Sequence, residues 1–414
     1  MTAPISLILL PTLDCNVACD YCFEQKAPVR LSLDDLPRIT ASVLDHMQAI
    51  GATDAELYWQ GGEVLLLGPA WFDAAHASMT AAAEARGVAF HHSLQSNLIG
   101  YGPQWDDVIR RMFGGSVGTS MDFPNDHRRL KNGSTTQYTR VWIEAVTRAR
   151  RAGLQVSVIA VLHEGSLGAG ADAFLRFFAE SAGIDDLQIN LPFPGGPGEG
   201  GDTLEPAAVS RFLGALLDLW MANYRERGLR LAPFSELMQH YVGRPARLPC
   251  IWQPNCADEF LTIDARGQVA LCDCWVTSYP EYAFGNVFAT PDLTALLGAS
   301  EARRALRNRP VRLMDLGGCA SCPHLALCHG GCPVRTLAAT GTILAKDPYC
   351  EVYKAVFTKC RELAAALVLS VGAEAPTYED RAVRRGCEAP TYEDRAVRRG
   401  CEAPTYEDRA VRRG

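Results

Sequence analysis

Residues 5–22 read ISLILLPTLDCNVACDYC, a mostly apolar run over Ile5–Leu10 that leads straight into Cys15, Cys19 and Cys22. The run is too short for the apolar core of a signal peptide and has no basic residues before it, so it reads as a buried strand and predicts a cytoplasmic chain. The same unit recurs downstream. A helix is expected over Ser32–Ile50, opened by Ser32-Leu33-Asp34-Asp35 in the manner of a capping box. Glu56–Gln60 reads as a strand, followed by a helix from Ala70 to Arg86 that stops at Gly87. Further strands are expected at Val88–Gln95, Ser116–Met121, Leu154–Leu162 and Leu187–Leu191, with helices between them. Six strand–helix units in series predict parallel strands and an α/β fold, a partial (β/α)6 TIM-like barrel. Chemistry in such barrels sits on loops at the C-terminal strand ends, and the three cysteines fall on the first of them.

The rest of the chain has a different character. Pro194–Asp202 (PGGPGEGGD) reads as a loop, Glu205 to about Tyr241 as helical, and Cys250–Cys350 as a cysteine-rich region closed by a helix over Glu351–Leu369. The 14 residues AEAPTYEDRAVRRG at 373–386 recur at 387–400 and 401–414, with Cys in place of the first Ala. Polar, Pro-bearing repeats of this kind have no apolar face to pack and are expected to be disordered. The expected organisation is therefore a barrel with linker over 1–242, a cysteine-rich domain over 243–370 and a repeat tail over 371–414.

The composition of the 414 residues, 48% hydrophobic and 21% charged, is that of a globular protein with room for a large and a smaller core. A net charge of -7 gives no electrostatic reason to bind nucleic acid or an acidic membrane. No apolar run reaches the ~20 residues that span a bilayer. The 15 cysteines need an explanation. Disulfide frameworks belong to short secreted domains; clustered thiols in a reduced compartment more often hold metal.

Cys15-x3-Cys19-x2-Cys22 supplies three thiolates on one short loop. Three can hold a four-iron, four-sulfur cluster and leave one iron open, whereas a structural zinc site or an electron-transfer cluster would want a fourth protein ligand. An open iron can chelate the amino and carboxylate groups of S-adenosylmethionine, whose one-electron cleavage releases a 5′-deoxyadenosyl radical.

At this point the chain resembles the radical S-adenosylmethionine superfamily. Tyr21, before the third cysteine, matches the usual aromatic there and would sit near the adenine. Trp59-Gln60-Gly61-Gly62-Glu63 resembles the GGE motif at the second strand end, which implies that Gln60, Gly61, Gly62 and Glu63 meet the cofactor, the glycines letting the backbone approach its methionyl amino group; Val64 replaces the usual proline. Gln95-Ser96-Asn97 and Ser120-Met121-Asp122 sit at the third and fourth strand ends, so that Asn97 and Ser120 would reach the ribose. A cation for the cofactor carboxylate is expected among Arg128, Arg129 and Lys131, with Lys131 preferred.

Downstream, Cys250-x5-Cys256, Gly267-x4-Cys272, Cys319-x2-Cys322-x5-Cys328-x3-Cys332 and Cys350 resemble the SPASM extension of peptide- and protein-modifying radical enzymes. Eight cysteines make two full sets of four. The resemblance implies an inner set, Cys250, Cys256, Cys272 and Cys332, and an outer set, Cys319, Cys322, Cys328 and Cys350, for two auxiliary clusters and three four-iron, four-sulfur clusters in all. Cys274, Cys360, Cys387 and Cys401 are left over.

Among SPASM enzymes the chain looks most like the anaerobic sulfatase maturases, over roughly residues 5–365. That implies a protein or peptide substrate, oxidation of Cys or Ser to formylglycine, Asp273 as the base, and a small electron donor such as flavodoxin or ferredoxin. The alternatives are a maturase that crosslinks a ribosomally made peptide and, further off, an electron carrier without catalytic role. Many peptide maturases begin with a leader-binding module, for which a first strand near residue 5 leaves no room.

Overall fold

The computed structural model describes residues 5–193, 204–316 and 318–370. The Pro194–Asp202 loop and the repeat tail lie outside the described residues. The six expected strands form: β1 (Ile5–Thr12), β2 (Asp54–Gly61), β3 (Ala89–Leu94), β4 (Ser116–Ser120), β5 (Gln155–Val161) and β6 (Asp186–Asn190). β1, β2 and β3 pair in parallel, as do β4, β5 and β6, and a parallel bridge between Gln95 and Gly118 joins the two groups. β1 is buried along almost its whole length because both of its faces are covered, which is why it reads as a continuous apolar run rather than an alternation.

Two further strands complete the wall. The stretch read as one helix from Glu205 to Tyr241 is interrupted: a helix over Pro206–Leu219 widens at Trp220–Tyr224 and gives way to β7 (Arg230–Ala232), then to a helix over Phe234–Tyr241. Gly228, at φ +91°, takes a conformation that a continuing helix cannot hold, and a three-residue strand is too short to show a two-residue period. β7 extends β6 in parallel. The other edge of the barrel is β1, and β8 (Phe260–Asp264) pairs along it in parallel. β8 turns back into β9 (Gln268–Ala270), which carries β10 (Gly285–Asn286), both antiparallel. The cysteine-rich region thus continues the barrel's own sheet, and the residue that follows β9 and Leu271 is Cys272.

The first helix runs over Leu36–Ile50, four residues later than expected. Ser32–Asp35 is spent on a turn, in which Asp35 N donates to Ser32 Oγ at 3.0 Å, and Pro37 is tolerated only in a first helical turn. Packing fixes the strand ends that matter. Phe72, on the helix Pro69–Glu84, meets Trp59, Trp105 and Phe113 edge-on at 5.4, 5.6 and 5.8 Å, all fully or nearly fully buried. Each such side chain contributes about 1.5–3 kcal/mol by burial, and together they hold the β2 end from which Gln60–Glu63 projects.

Candidate active site

A cavity of about 260 Å³ opens at the C-terminal ends of the strands. Its floor carries Cys15, Cys19 and Cys22, and its walls carry Gln60 from β2, Asn97 beyond β3, Ser120 from β4, Val161 from β5 and Asn190 from β6, with Asp273 closing one side. The cysteine loop is moored to the segment after β4: Ala18 N donates to Arg129 O at 2.8 Å and Asp20 N to His127 O at 3.1 Å. Burial pushes the Cys15 thiol up to about 12 and raises that of Cys22. Thiols in such a setting are neutral by themselves and become ligands only through the charge of a bound metal. Three thiols at one end of a cavity fit a cluster with one open iron.

Gly61 and Gly62 line the cavity, and their need for hydrogen in place of a side chain comes from the chain itself. A Cβ on Gly61 would lie 2.5 Å from Thr12 O, and one on Gly62 2.1 Å from Asp14 O. Their lack of side chains lets β2 press against the start of the cysteine loop, where Gly62 N donates to Thr12 O and Glu63 N to Asp14 O. Glu63 does not line the cavity. It is buried, and it accepts hydrogen bonds from Leu65 N (2.9 Å), Ser96 Oγ (2.7 Å) and Asn97 N (2.7 Å), which ties the β2 end to the β3 end. Burial pushes its carboxyl up to about 7. Asn97 passes the order on, donating from Nδ2 to Asn16 Oδ1 between the first two cysteines. Ser120 Oγ accepts from Gln95 Nε2 at 2.9 Å.

Tyr21 lines the cavity and donates its hydroxyl to the buried Asp122 at 2.5 Å. Asp122 also accepts from Arg128 Nε (2.9 Å), Arg128 Nη2 (3.2 Å) and Val161 N (3.0 Å). Arg128 is buried, faces the cavity and lies over the Tyr21 ring at 5.4 Å. Lys131 is exposed and takes no part in the cavity wall. The cation at this end of the site is therefore Arg128 rather than Lys131. The reversal has a local cause: Asn125 Nδ2 donates to Arg128 O, Thr135 O and Thr139 Oγ1, and its Oδ1 accepts from Arg128 N, so the loop folds Arg128 back under the strand ends.

Asp273 lines the cavity beside Gln60 at the end of β2. Its Oδ2 accepts from Gln60 Nε2 at 2.7 Å and its Oδ1 from Cys274 N at 2.9 Å. Burial raises its pKa, which makes it a better proton acceptor than an exposed aspartate. Glu24, unmarked by the sequence reading, faces the same cavity with 9% exposure. Its Oε2 has no hydrogen-bond partner among the described residues, and burial followed by the nearby Asp273 charge raises its pKa. Its position two residues past Cys22 was the only available signal.

The downstream cysteines gather as two groups. Cys250, Cys256, Cys272 and Cys332 lie close enough that a charge on one acts on the others; burial raises the pKa of Cys256, and that of Cys332 to about 11, while Cys250 is exposed. Cys319, Cys322, Cys328 and Cys350 line a small cavity of their own, about 40 Å³. Each group presents four thiols, the donor set of a fully ligated iron–sulfur cluster. Among the remaining cysteines, Cys274 is buried, with its sulfur within 4.8 Å of the Cys272 sulfur and an Asp273 oxygen. Cys360 is buried on the final helix, and Cys387 and Cys401 lie outside the described residues. No helix among the described residues is long and apolar enough to cross a membrane.

Residues 9–177 match the family model of the radical SAM superfamily. The chain is 23% identical over 342 residues to the serine-type anaerobic sulfatase-maturating enzyme of Klebsiella pneumoniae, covering 81% of this chain and 83% of that one. It is 22% identical over 373 residues to the cysteine-type anaerobic sulfatase-maturating enzyme of Clostridium perfringens, covering 86% and 95%. In structure it is similar to native anSMEcpe with bound AdoMet and Cp18Cys peptide, with a TM-score of 0.72 and 20% identity over 89% of this chain and all of that one.

Proposed function

We propose that this radical SAM enzyme oxidises a Cys or Ser side chain of a protein or peptide to formylglycine. The observation that carries the reading is Asp273, a half-buried carboxylate on the cavity wall, held by Gln60 and immediately after a cysteine of the inner set. The relatives support it, since two of them are named for sulfatase maturation and the similar solved structure has both AdoMet and a peptide bound.

The residues present fit the groups such a reaction uses. Cys15, Cys19 and Cys22 would hold the cluster with the open iron, and Tyr21, Asn97, Ser120 and Arg128 would form the walls around S-adenosylmethionine. Once bound, these groups supply a 5′-deoxyadenosyl radical able to take a β-hydrogen from the substrate. The chain's own part is to receive the proton. Gln60 holds one oxygen of Asp273, so the carboxylate is fixed in direction before substrate arrives. Loss of the thiol or hydroxyl proton to Asp273, together with one electron from the carbon radical, turns the C–S or C–O bond into a double bond. A serine gives the aldehyde directly; a cysteine gives a thioaldehyde, which water converts to the aldehyde with release of hydrogen sulfide. The inner and outer sets would hold the electron acceptors, and because Cys272 precedes Asp273, proton and electron acceptors would stand side by side. A cytoplasmic location and a flavodoxin- or ferredoxin-like donor complete the reading, as does the division of the chain into barrel, cysteine-rich domain and repeat tail.

The test is anaerobic incubation of the reconstituted enzyme with S-adenosylmethionine, a reductant and peptides that carry a single Cys or Ser. The expected product is an aldehyde at that residue, trapped by a hydrazine reagent. A product with two hydrogens lost and no trappable aldehyde would replace this reading with a crosslinking peptide maturase.

A further inference from the structure

Arg309 lies inside the helix Glu301–Leu316 and is 2% exposed. Its guanidinium is spent on neutral acceptors. Nε donates to Ile343 O at 2.7 Å, Nη1 to Gly331 O at 3.1 Å, and Nη2 to Gly330 O at 2.9 Å, Thr336 Oγ1 at 3.2 Å and Ala345 O at 3.4 Å. No carboxylate among the described residues forms an ion pair with it. The nearest acidic group, Asp347, is already matched: it accepts from Arg335 Nη1 at 3.3 Å, from Tyr353 OH at 3.1 Å and from Cys332 N at 2.8 Å. A buried charge without an opposite charge is costly, so the balancing charge has to be sought elsewhere.

The geometry points to the cysteines. His329, Gly330 and Gly331 fill the gap between Cys328 of the outer set and Cys332 of the inner set, and all three are in the left-handed region, at φ +51°, +95° and +72°. That turn aims two consecutive carbonyls at the guanidinium, and a Cβ on Gly330 would come within 3.3 Å of Arg309 Nη1. Besides Asp347, the groups near enough for a negative charge to act on Arg309 are Cys256, Cys332 and Cys328, members of both sets. An iron–sulfur cluster with four thiolate ligands is anionic, and more so when reduced.

We propose that Arg309 is the shared counter-cation of the inner and outer cysteine sets, and that it raises the reduction potential of the clusters they hold. The proposal rests on the reading of those sets as cluster ligands. A fixed positive charge favours the reduced state of each cluster, and in a dry interior the effect is far stronger than in water. It acts on both sets at once, so both potentials rise. The larger effect belongs to the inner set, which contributes two of the interacting thiolates.

The experiment compares Arg309→Gln, which keeps donors for the carbonyls without the charge, with Arg309→Lys, which keeps the charge with fewer donors. Iron content and reduction potentials of the reconstituted proteins are read by redox titration followed by electron paramagnetic resonance. The parent comes first: if it holds iron only at the three-cysteine loop, the reading of the two sets fails before Arg309 is tested. With the parent fully loaded, Arg309→Gln is expected to lower the reduction equilibrium of the inner cluster at least tenfold, about 59 mV for one electron, with a smaller fall at the outer one. Arg309→Lys is expected to stay near the parent. Equal potentials in the Gln variant and the parent would overturn the proposal. So would failure of both variants to retain auxiliary iron, because Arg309 would then be a strut for the loop rather than a source of charge.

Discussion

Anaerobically reconstituted protein in which Cys15, Cys19 and Cys22 are all replaced by Ala is expected to make no 5′-deoxyadenosine while keeping about two thirds of the parent's iron. The cysteine sets occupy separate compartments. The three thiols occupy the floor of the barrel cavity, on a loop held by β1 and by the segment after β4. Of the eight others, Cys250 and Cys256 precede β8 and the rest follow it, and four of them line a cavity of their own. Removing one compartment's ligands leaves the others' donor sets intact, so iron falls in proportion, from about twelve per chain to about eight, while radical generation is lost outright. Iron quantification with a cleavage assay in the same preparation reads both. Residual cleavage above the level without enzyme would remove the first set from its role.

The second large effect concerns Asp273→Asn. This variant is expected to retain all its iron and to go on forming 5′-deoxyadenosine, while oxidised peptide falls by about 10²–10⁴-fold, the range of a positioned general base. Asparagine keeps the shape and still accepts from Gln60, so the substitution removes proton affinity and little else. The parent carboxylate starts with a raised pKa because its surroundings shield it from water, which strengthens its hold on a transferred proton. The substrate proton becomes much more acidic once the carbon radical gives up its electron, so the transfer needs no further help. The measured quantity is the ratio of aldehyde to 5′-deoxyadenosine. An unchanged ratio would take Asp273 out of the reaction and turn attention to Glu24, the other carboxylate on the cavity wall.

These outcomes depend on features that differed in how well the sequence showed them. The cysteine sets were legible because ligands on short loops are constrained by spacing, and the fold only has to bring a few such loops together. The barrel strands were legible from apolar runs at regular intervals. β7 was not, since three residues flanked by helices leave no periodic trace. The pairing of β8 with β1 was hidden for a different reason: it joins Phe260–Asp264 to a strand some 250 positions away, and no local pattern records a partner.

The site shows the same division. Gln60 and Asp273 were found separately, but their hydrogen bond links two strand ends in different parts of the chain. Glu63 was read as a cofactor contact, yet three hydrogen bonds make it the brace between β2 and β3. Arg128 lost to Lys131 in the sequence because spacing alone could not foresee how Asn125 folds the loop. Glu24 had no motif to announce it.

The most direct test of the central claim is to follow one hydrogen atom. Peptide carrying deuterium on the β-carbon of its single Cys or Ser is incubated with the reconstituted enzyme, and the 5′-deoxyadenosine formed is weighed by mass spectrometry. Deuterium is expected in the 5′-deoxyadenosine, in step with trappable aldehyde on the peptide. Aldehyde formed alongside 5′-deoxyadenosine that carries no deuterium would contradict it.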